Sequence, residues 1–181
     1  SKRPGPITSL EPVDTPKILI HLKNNLEKPA FKGGHQAAQD RLNQFLNKPV
    51  ALYHQNRDRP DLDGTSRLSM HLRFGTISVR ECFKQAIQVA QTDPTYKPGV
   101  QQWLDELIWR EFYNAILEEN PRVLHGNYRQ EYDYLNWRNN PKDFSAWCEG
   151  RTGFPIVDAG IRQLLSTGWM HNRIRMIVAS F

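Results

Sequence analysis

The run Trp103-Leu104-Asp105-Glu106-Leu107-Ile108-Trp109-Arg110-Glu111-Phe112-Tyr113, taken as a helix, leaves no ordinary face for water. At about 100° per residue, Leu104, Ile108, Glu111, Phe112 and Ala115 share one side. Trp103, Glu106, Trp109, Arg110 and Tyr113 share an arc of roughly 120° opposite. The first side reads as a core stripe. The second joins two indoles and a phenol to a carboxylate and a guanidinium, whereas water-facing helix positions normally carry short-range charge pairs. A cavity wall facing a flat ligand with polar edges fits that mixture, and a helix buried on all sides is the alternative.

The rest of the chain is punctuated as short helices, so the expected class is all-α. Residues 1–30 are proline-bearing with little periodicity and read as an extended linker or arm; residues 31–181 read as the N-terminal part of a helical domain. Ala38, Leu42, Phe45 and Leu46 form a helical stripe ended by Pro49. Ser78 and Glu81 make a capping box for a helix whose Val79, Cys82, Phe83, Ala86, Ile87 and Ala90 keep the helical period. The tryptophan helix should stop near Glu119, before Asn120 and Pro121. Asn140 precedes Pro141 as an N-cap, with Phe144 and Trp147 expected inward, and Pro155 opens a helix closed by Gly168 whose stripe is Ile156, Val157, Ile161, Leu164 and Leu165. At the end, Ile174, Ile177, Val178 and Phe181 repeat at i, i+3, i+4 and i+7 and the sequence stops without a cap, which leads to the expectation that further core lies downstream.

With 181 residues, 39% hydrophobic and 24% charged, the composition is that of an ordinary globular domain and excludes disordered and fibrous classes. No apolar stretch approaches a membrane span and no leader pattern opens the sequence, so it reads as a soluble intracellular protein, cytoplasmic in a bacterium, with nuclear or organellar compartments also compatible. Cys82 and Cys148 lie far apart on apolar stripes and read as reduced core thiols; no metal site is expected. A net charge of +5 permits a polyanionic partner. Its distribution is more telling, since Arg57, Arg59, Arg67, Arg73, Arg80, Arg162, Arg173 and Arg175 sit mostly beside aromatic or hydroxyl residues, a pattern suited to shaped phosphate recognition.

Two further segments join the tryptophan face. Asp63-Gly64-Thr65-Ser66-Arg67-Leu68-Ser69 offers backbone N–H groups, hydroxyls and a guanidinium, which an anionic phosphate needs, although a capped helix start beside a surface arginine uses the same residues. In Gly168-Trp169-Met170-His171-Asn172-Arg173-Ile174-Arg175-Met176, Asn172, Arg173 and Met176 share one helix face opposite Ile174, Ile177 and Phe181; a basic solvated helix start is the other reading.

These segments, with Gly150-Arg151-Thr152-Gly153-Phe154-Pro155-Ile156-Val157-Asp158-Ala159, resemble in order the flavin-binding helical domain of the photolyase and cryptochrome family, and specifically the class I cyclobutane pyrimidine dimer photolyases, over nearly all of residues 30 to 181. The resemblance implies bound flavin adenine dinucleotide, active when reduced. Tyr53, Thr65, Ser66, Arg67, Leu68 and Ser69 would lie around its diphosphate, and Trp103, Arg110, Trp169, Asn172 and Arg175 would form further walls. Glu106, Trp109, Asn172 and Met176 would meet the lesion, with Tyr113 beside them, while Arg57 and Arg173 would hold the DNA backbone. Trp137 resembles the outermost member of the family's tryptophan electron chain, whose inner members are expected beyond Phe181. A folate or deazaflavin antenna would belong to an N-terminal α/β domain, and the intact protein would be a monomer that acts on DNA containing pyrimidine dimers.

The reaction so implied is a carbon-carbon lyase step: one electron splits the dimer and returns, which no side chain can provide and a reduced, light-excited flavin can. A dimer is poorly stacked and so costs less to flip out. Two other functions compete. A cryptochrome photoreceptor would use the same pocket without repair, and plant-type cryptochromes usually carry Asp and an aliphatic residue where this sequence has Asn172 and Met176. A cofactor-free basic helical module would bind nucleic acid through its arginines and aromatics alone.

Overall fold

In a computed structural model, the structure describes residues 31–136 and 138–181. The expected arm at residues 1–30 and the expected electron carrier Trp137 lie outside the described residues. Every regular element among the described residues is helical: α1 His35–Asn47, α2 Tyr53–Asn56, α3 Ser69–Arg73, α4 Val79–Thr92, α5 Lys97–Glu119, α6 Pro141–Cys148, α7 Pro155–Thr167 and α8 Asn172–Ser180. Short 3₁₀ turns over Pro49–Leu52, Pro94–Tyr96, Pro121–Leu124 and Gln130–Tyr134 link them.

Two apolar clusters organise these helices. In the first, Ala38, Leu42, Phe45 and Leu46 of α1 meet Val50, Tyr53, Leu68, Cys82, Ala86 and the first half of α5. Gly99 is what lets α5 lie against the Pro49–Leu52 turn: a Cβ there would stand 1.8 Å from the Val50 carbonyl oxygen. In the second cluster, Val157 and Ile161 of α7 meet Met170 and Ile174 and Val178 of α8. Gly160 sets that spacing, since a Cβ would come within 2.4 Å of an Ile174 methyl. Trp147 of α6 locks on by donating its indole N–H to the Val178 carbonyl at 2.9 Å.

The helix ends are largely those the residues dictate. Ser78 Oγ accepts from the Glu81 N–H at 3.1 Å, but the Glu81 carboxylate turns to Gln85 instead of completing the reciprocal half of the capping box. Asn140 Oδ1 accepts from the Lys142 N–H, and Gly168 closes α7 at φ 73 with its N–H on the Leu164 carbonyl. Asp158, buried in the first turn of α7, folds the preceding loop back by accepting from Thr152 N–H and Oγ1 and from Gly153 N–H. Those bonds, the Thr152 hydroxyl first, hold its carboxyl below the usual carboxylate range.

Several expected core positions face outward. The buried arc of α5 is Gly99, Val100, Trp103, Leu104 and Leu107, so the stripe expected at Ile108, Phe112 and Ala115 is exposed, Ile108 by 55%. Helical period alone does not say where along a long helix the neighbours stop, and here they stop after Leu107. Phe144, Ile156, Leu165 and Phe181 are exposed for the same reason, Ile177 marginally so, and Trp147 is only half-buried. Cys148 is exposed at the end of α6, whereas Cys82 is a buried thiol whose pKa burial pushes up to about 11.

Replacing Gly99 by Ala adds about 1 kcal/mol of helix propensity but forces a methyl into a backbone oxygen that cannot rotate away, a strain of up to about 3 kcal/mol. The expected net loss in the intact protein is about 2 kcal/mol, read as a lower denaturant midpoint; a midpoint at or above that of the parent would show the approach to be relaxed.

Candidate functional site

Arg67 brings the two clusters together. It sits in the left-handed region at φ 51, unusual for a residue with a side chain, and its guanidinium carbon lies 4.4 Å above the Trp169 ring. That conformation is held from both sides. Gly64 passes so close to Asn56 that a Cβ would meet the Asn56 side chain at 2.7 Å, and Arg41 of α1 donates to the carbonyls of Ser66 at 2.8 Å and Thr65 at 3.0 Å. Arg67 Nε lies buried 2.9 Å from Asp63 Oδ1, an ion pair without hydrogen-bond angles. With its carbonyls tied inward, the loop's Thr65, Ser66 and Arg67 N–H groups donate to no acceptor among the described residues. Non-glycine strain of this kind persists only where surroundings enforce it and often accompanies binding sites.

A second junction is ionic. Arg57, just after α2, places Nη1 2.5 Å from Glu106 Oε1 on α5. Asp58 Oδ1 accepts from Arg173 Nε on α8 at 2.7 Å and lies 3.5 Å from Arg57 Nε. The Arg173 hydrogen bond leads in holding the Asp58 carboxyl below its usual range, and the same bond raises Arg173. Tyr53 lies under this group, edge-on to Phe45 at 5.7 Å; burial first, then the Glu106 charge, pushes its phenol up to about 12.

His171 joins both junctions. It is 1% exposed, edge-on to Trp169, and its Nδ1 accepts from the Arg173 N–H at 3.1 Å as the N-cap of α8. An accepting Nδ1 puts the neutral ring's proton on Nε2, which meets no partner with hydrogen-bond geometry among the described residues, although the Arg57 carbonyl lies on that side. Burial, reinforced by Arg173 and Arg67, outweighs Asp58 and lowers the His171 pKa from its ordinary value.

The remaining expected residues fall into three settings. Leu68 and Trp103 belong to the first core; Trp103, 2% exposed, packs on Phe45 at 5.0 Å instead of standing on an open wall, because it lies one turn before α5 leaves the core. Arg110 is half-buried, with Nη2 on the Leu72 carbonyl and Nη1 paired with Glu111; Arg175 holds the Met170 carbonyl through Nε. Ser69, Asn172, Trp109, Tyr113 and Met176 are exposed, Trp109 by 52% and Tyr113 by 64%, and Trp109, Phe112 and Tyr113 pack against one another. The expected cavity wall is therefore an open aromatic surface on this chain. A hollow of about 690 Å³ lies elsewhere, between α1 and α4, lined by Leu46, Glu81, Val89 and Tyr96 among others, and shares no residue with the site. Arg41, Asp58 and His171 were not singled out from sequence; Asp58 had one signal, a carboxylate set between Arg57 and Arg59 in an otherwise basic stretch.

Residues 103–181 match the family described as the FAD binding domain of DNA photolyase. A deoxyribodipyrimidine photo-lyase of Escherichia coli strain K12 is 42% identical over 176 residues, covering 96% of this chain and 36% of that protein. Among solved structures, a class III photolyase from Agrobacterium tumefaciens superposes with a TM-score of 0.79 at 34% identity, over 93% of this chain and 34% of that one. A cryptochrome from Synechocystis superposes with a TM-score of 0.76 at 28% identity, over 84% and 32% respectively. The chain belongs to the photolyase and cryptochrome family and carries part of its helical FAD-binding domain. It spans about a third of the length of the relatives it matches. No helix among the described residues is long and apolar enough to cross a membrane, and no group of three or more His, Cys, Asp or Glu there could hold a metal ion.

Because folded His171 resists protonation, the unfolded chain binds its proton first as pH falls. The stability contributed by the neutral ring is complete above about pH 6.5 and is lost as pH drops through the folded value. In a titration of histidine Cε1–H resonances, His171 should show its inflection below 6.5, and His171→Asn, which keeps a capping oxygen, should remove that part of the acid-side slope in stability. An inflection at or above 6.5 would contradict a buried neutral ring.

Proposed function

We propose that this chain forms part of the flavin site and lesion-binding surface of a light-driven lyase that splits cyclobutane pyrimidine dimers in DNA. The observation that carries the reading is the convergence of three distant segments. Arg57 meets Glu106, Asp58 meets Arg173, and Arg67 covers Trp169, so the loop, α5 and the start of α8 share one locus. The family match and the name of the E. coli relative support the same chemistry.

The residues fit flavin adenine dinucleotide. Three N–H groups at 65–67 that meet no acceptor among the described residues, the Thr65, Ser66 and Ser69 hydroxyls and the Arg67 guanidinium form the donor set a diphosphate requires. When bound in its reduced form, the flavin supplies the electron that opens the dimer. This chain's residues bind, orient and shield. Arg57 and Arg173, held at the surface beside that locus, neutralise phosphates flanking a flipped-out dimer, which makes binding salt-sensitive and nearly blind to sequence. Trp109 and Met176, both exposed, offer an aromatic face and an apolar edge to fused pyrimidines. Glu106, oriented by Arg57, is placed to hydrogen-bond pyrimidine carbonyl or imide edges and to steady charge that develops there.

A cryptochrome photoreceptor is the second reading, favoured by the 0.76 TM-score to the Synechocystis protein; Asn172 and Met176 favour repair. The purified full-length protein should be yellow with a flavin spectrum and should remove dimers from DNA only in light. Flavin without dimer loss selects the photoreceptor, and DNA binding without flavin selects a plain nucleic-acid module.

Trp109→Ala should leave flavin content unchanged and lower the preference for dimer-containing over intact DNA by roughly tenfold, the loss of one stacking contact of about 1–3 kcal/mol. Unchanged selectivity in filter binding would remove Trp109 from the lesion surface.

A further inference from the structure

We infer that Asp58 is a positioning residue: it hydrogen-bonds Arg173 at Nε and draws Arg57 to it as an ion pair, so that the terminal amino groups left over on both guanidiniums form a preset pair for nucleic-acid phosphates. The inference rests on the DNA-binding reading above and assigns a part to a carboxylate that reading leaves unused. One oxygen, Oδ1, serves both arginines, at 2.7 Å from Arg173 Nε and 3.5 Å from Arg57 Nε. A guanidinium has five N–H donors in a rigid fork, and holding it at Nε fixes the direction of the rest. Arg57 then spends Nη1 on Glu106, and its Nη2 meets no acceptor oxygen among the described residues. Among the described residues Arg173 has neither terminal nitrogen on an oxygen; its Nη1 lies 3.8 Å from the exposed Met176 sulfur.

Stability does not account for this arrangement. The Asp58 side chain is 53% exposed, and ion pairs in such settings contribute little. Yet it reaches across 115 residues of sequence to α8, while the His171 ring caps that helix through the Arg173 N–H from the other side. The backbone and the guanidinium of Arg173 are thus fixed separately, one by His171 and one by Asp58. The two carboxylates and two guanidiniums sum to zero charge, so the arginines sit close without mutual repulsion, and a phosphate arriving at their Nη2 groups displaces at most the weak Arg173 contact to the Met176 sulfur.

The test is the salt dependence of DNA binding by the flavin-loaded full-length protein, on intact and on dimer-containing duplexes of one sequence. With two phosphates no longer engaged, Asp58→Ala should bind both duplexes about tenfold more weakly, and the slope of log K against log salt should become shallower by roughly 0.9 to 1.8. Asp58→Asn keeps the accepting oxygen and should restore most of the slope. A steeper slope with tighter binding to intact DNA in Asp58→Ala would mean that the carboxylate screens the arginines, and would overturn the inference. So would an unchanged slope, whether flavin content is retained or lost, because a merely structural role moves stability without moving phosphate count. If the parent shows no preference for dimers, the repair reading falls, while the slope on intact DNA still decides the role of Asp58.

Discussion

Two hydrophobic clusters, one built on α1, α4 and α5 and the other on α7 and α8, share a frame through a guanidinium laid on an indole. Arg67 reaches Trp169 from a backbone in the left-handed region, and that turn survives because Gly64 fits against Asn56 and Arg41 ties down the carbonyls of the two residues before it, Thr65 and Ser66. A purely apolar contact would have joined the clusters without direction. A cation over a ring, partly withdrawn from water, fixes distance and angle together. The ionic junction of Arg57, Asp58, Glu106 and Arg173 repeats the same logic a few residues away.

This arrangement explains why the site is built from strained or incompletely paired groups. Arg67 is off the usual backbone map, its Nε is buried beside Asp63 without hydrogen-bond angles, and the His171 Nε2 is buried with no hydrogen-bond partner among the described residues. Each feature costs free energy, and each lies where the loop at 57–67 meets Trp169 and the start of α8. Elsewhere the helix ends follow local rules, with capped starts at Ser78 and Asn140 and a glycine close at Gly168, and the other left-handed non-glycine residue, Asn139 at φ 46, is of a type that tolerates that region. Departures from local consistency concentrate where function is proposed.

Much of the helical plan was legible from residues alone. The stripe Ala38-Leu42-Phe45-Leu46, the proline stops at Pro49 and Pro121, and the caps follow from side-chain geometry within one turn, which short windows of sequence record. The site residues were legible as types: aromatic and arginine interleaving on α5, hydroxyls after a glycine at 64–69, and the run around Trp169. Their partners were not. Asp58, Arg41 and His171 look ordinary in sequence because what they do depends on residues between 24 and 115 positions away, or on burial that no local pattern encodes.

The sequence by itself determined the all-helical class, most element boundaries and the family, since those rest on period, capping chemistry and ordered motifs. Tertiary structure alone decided which half of α5 is core and which is open aromatic surface, that Trp103 packs inward while Trp109 does not, and that the Asp58 carboxylate joins its neighbour Arg57 to Arg173, 115 residues away. The physical reason is the same in each case. Helical periodicity fixes which side chains share a face, but only the neighbours that arrive from elsewhere in the chain decide whether that face meets oil, charge or water.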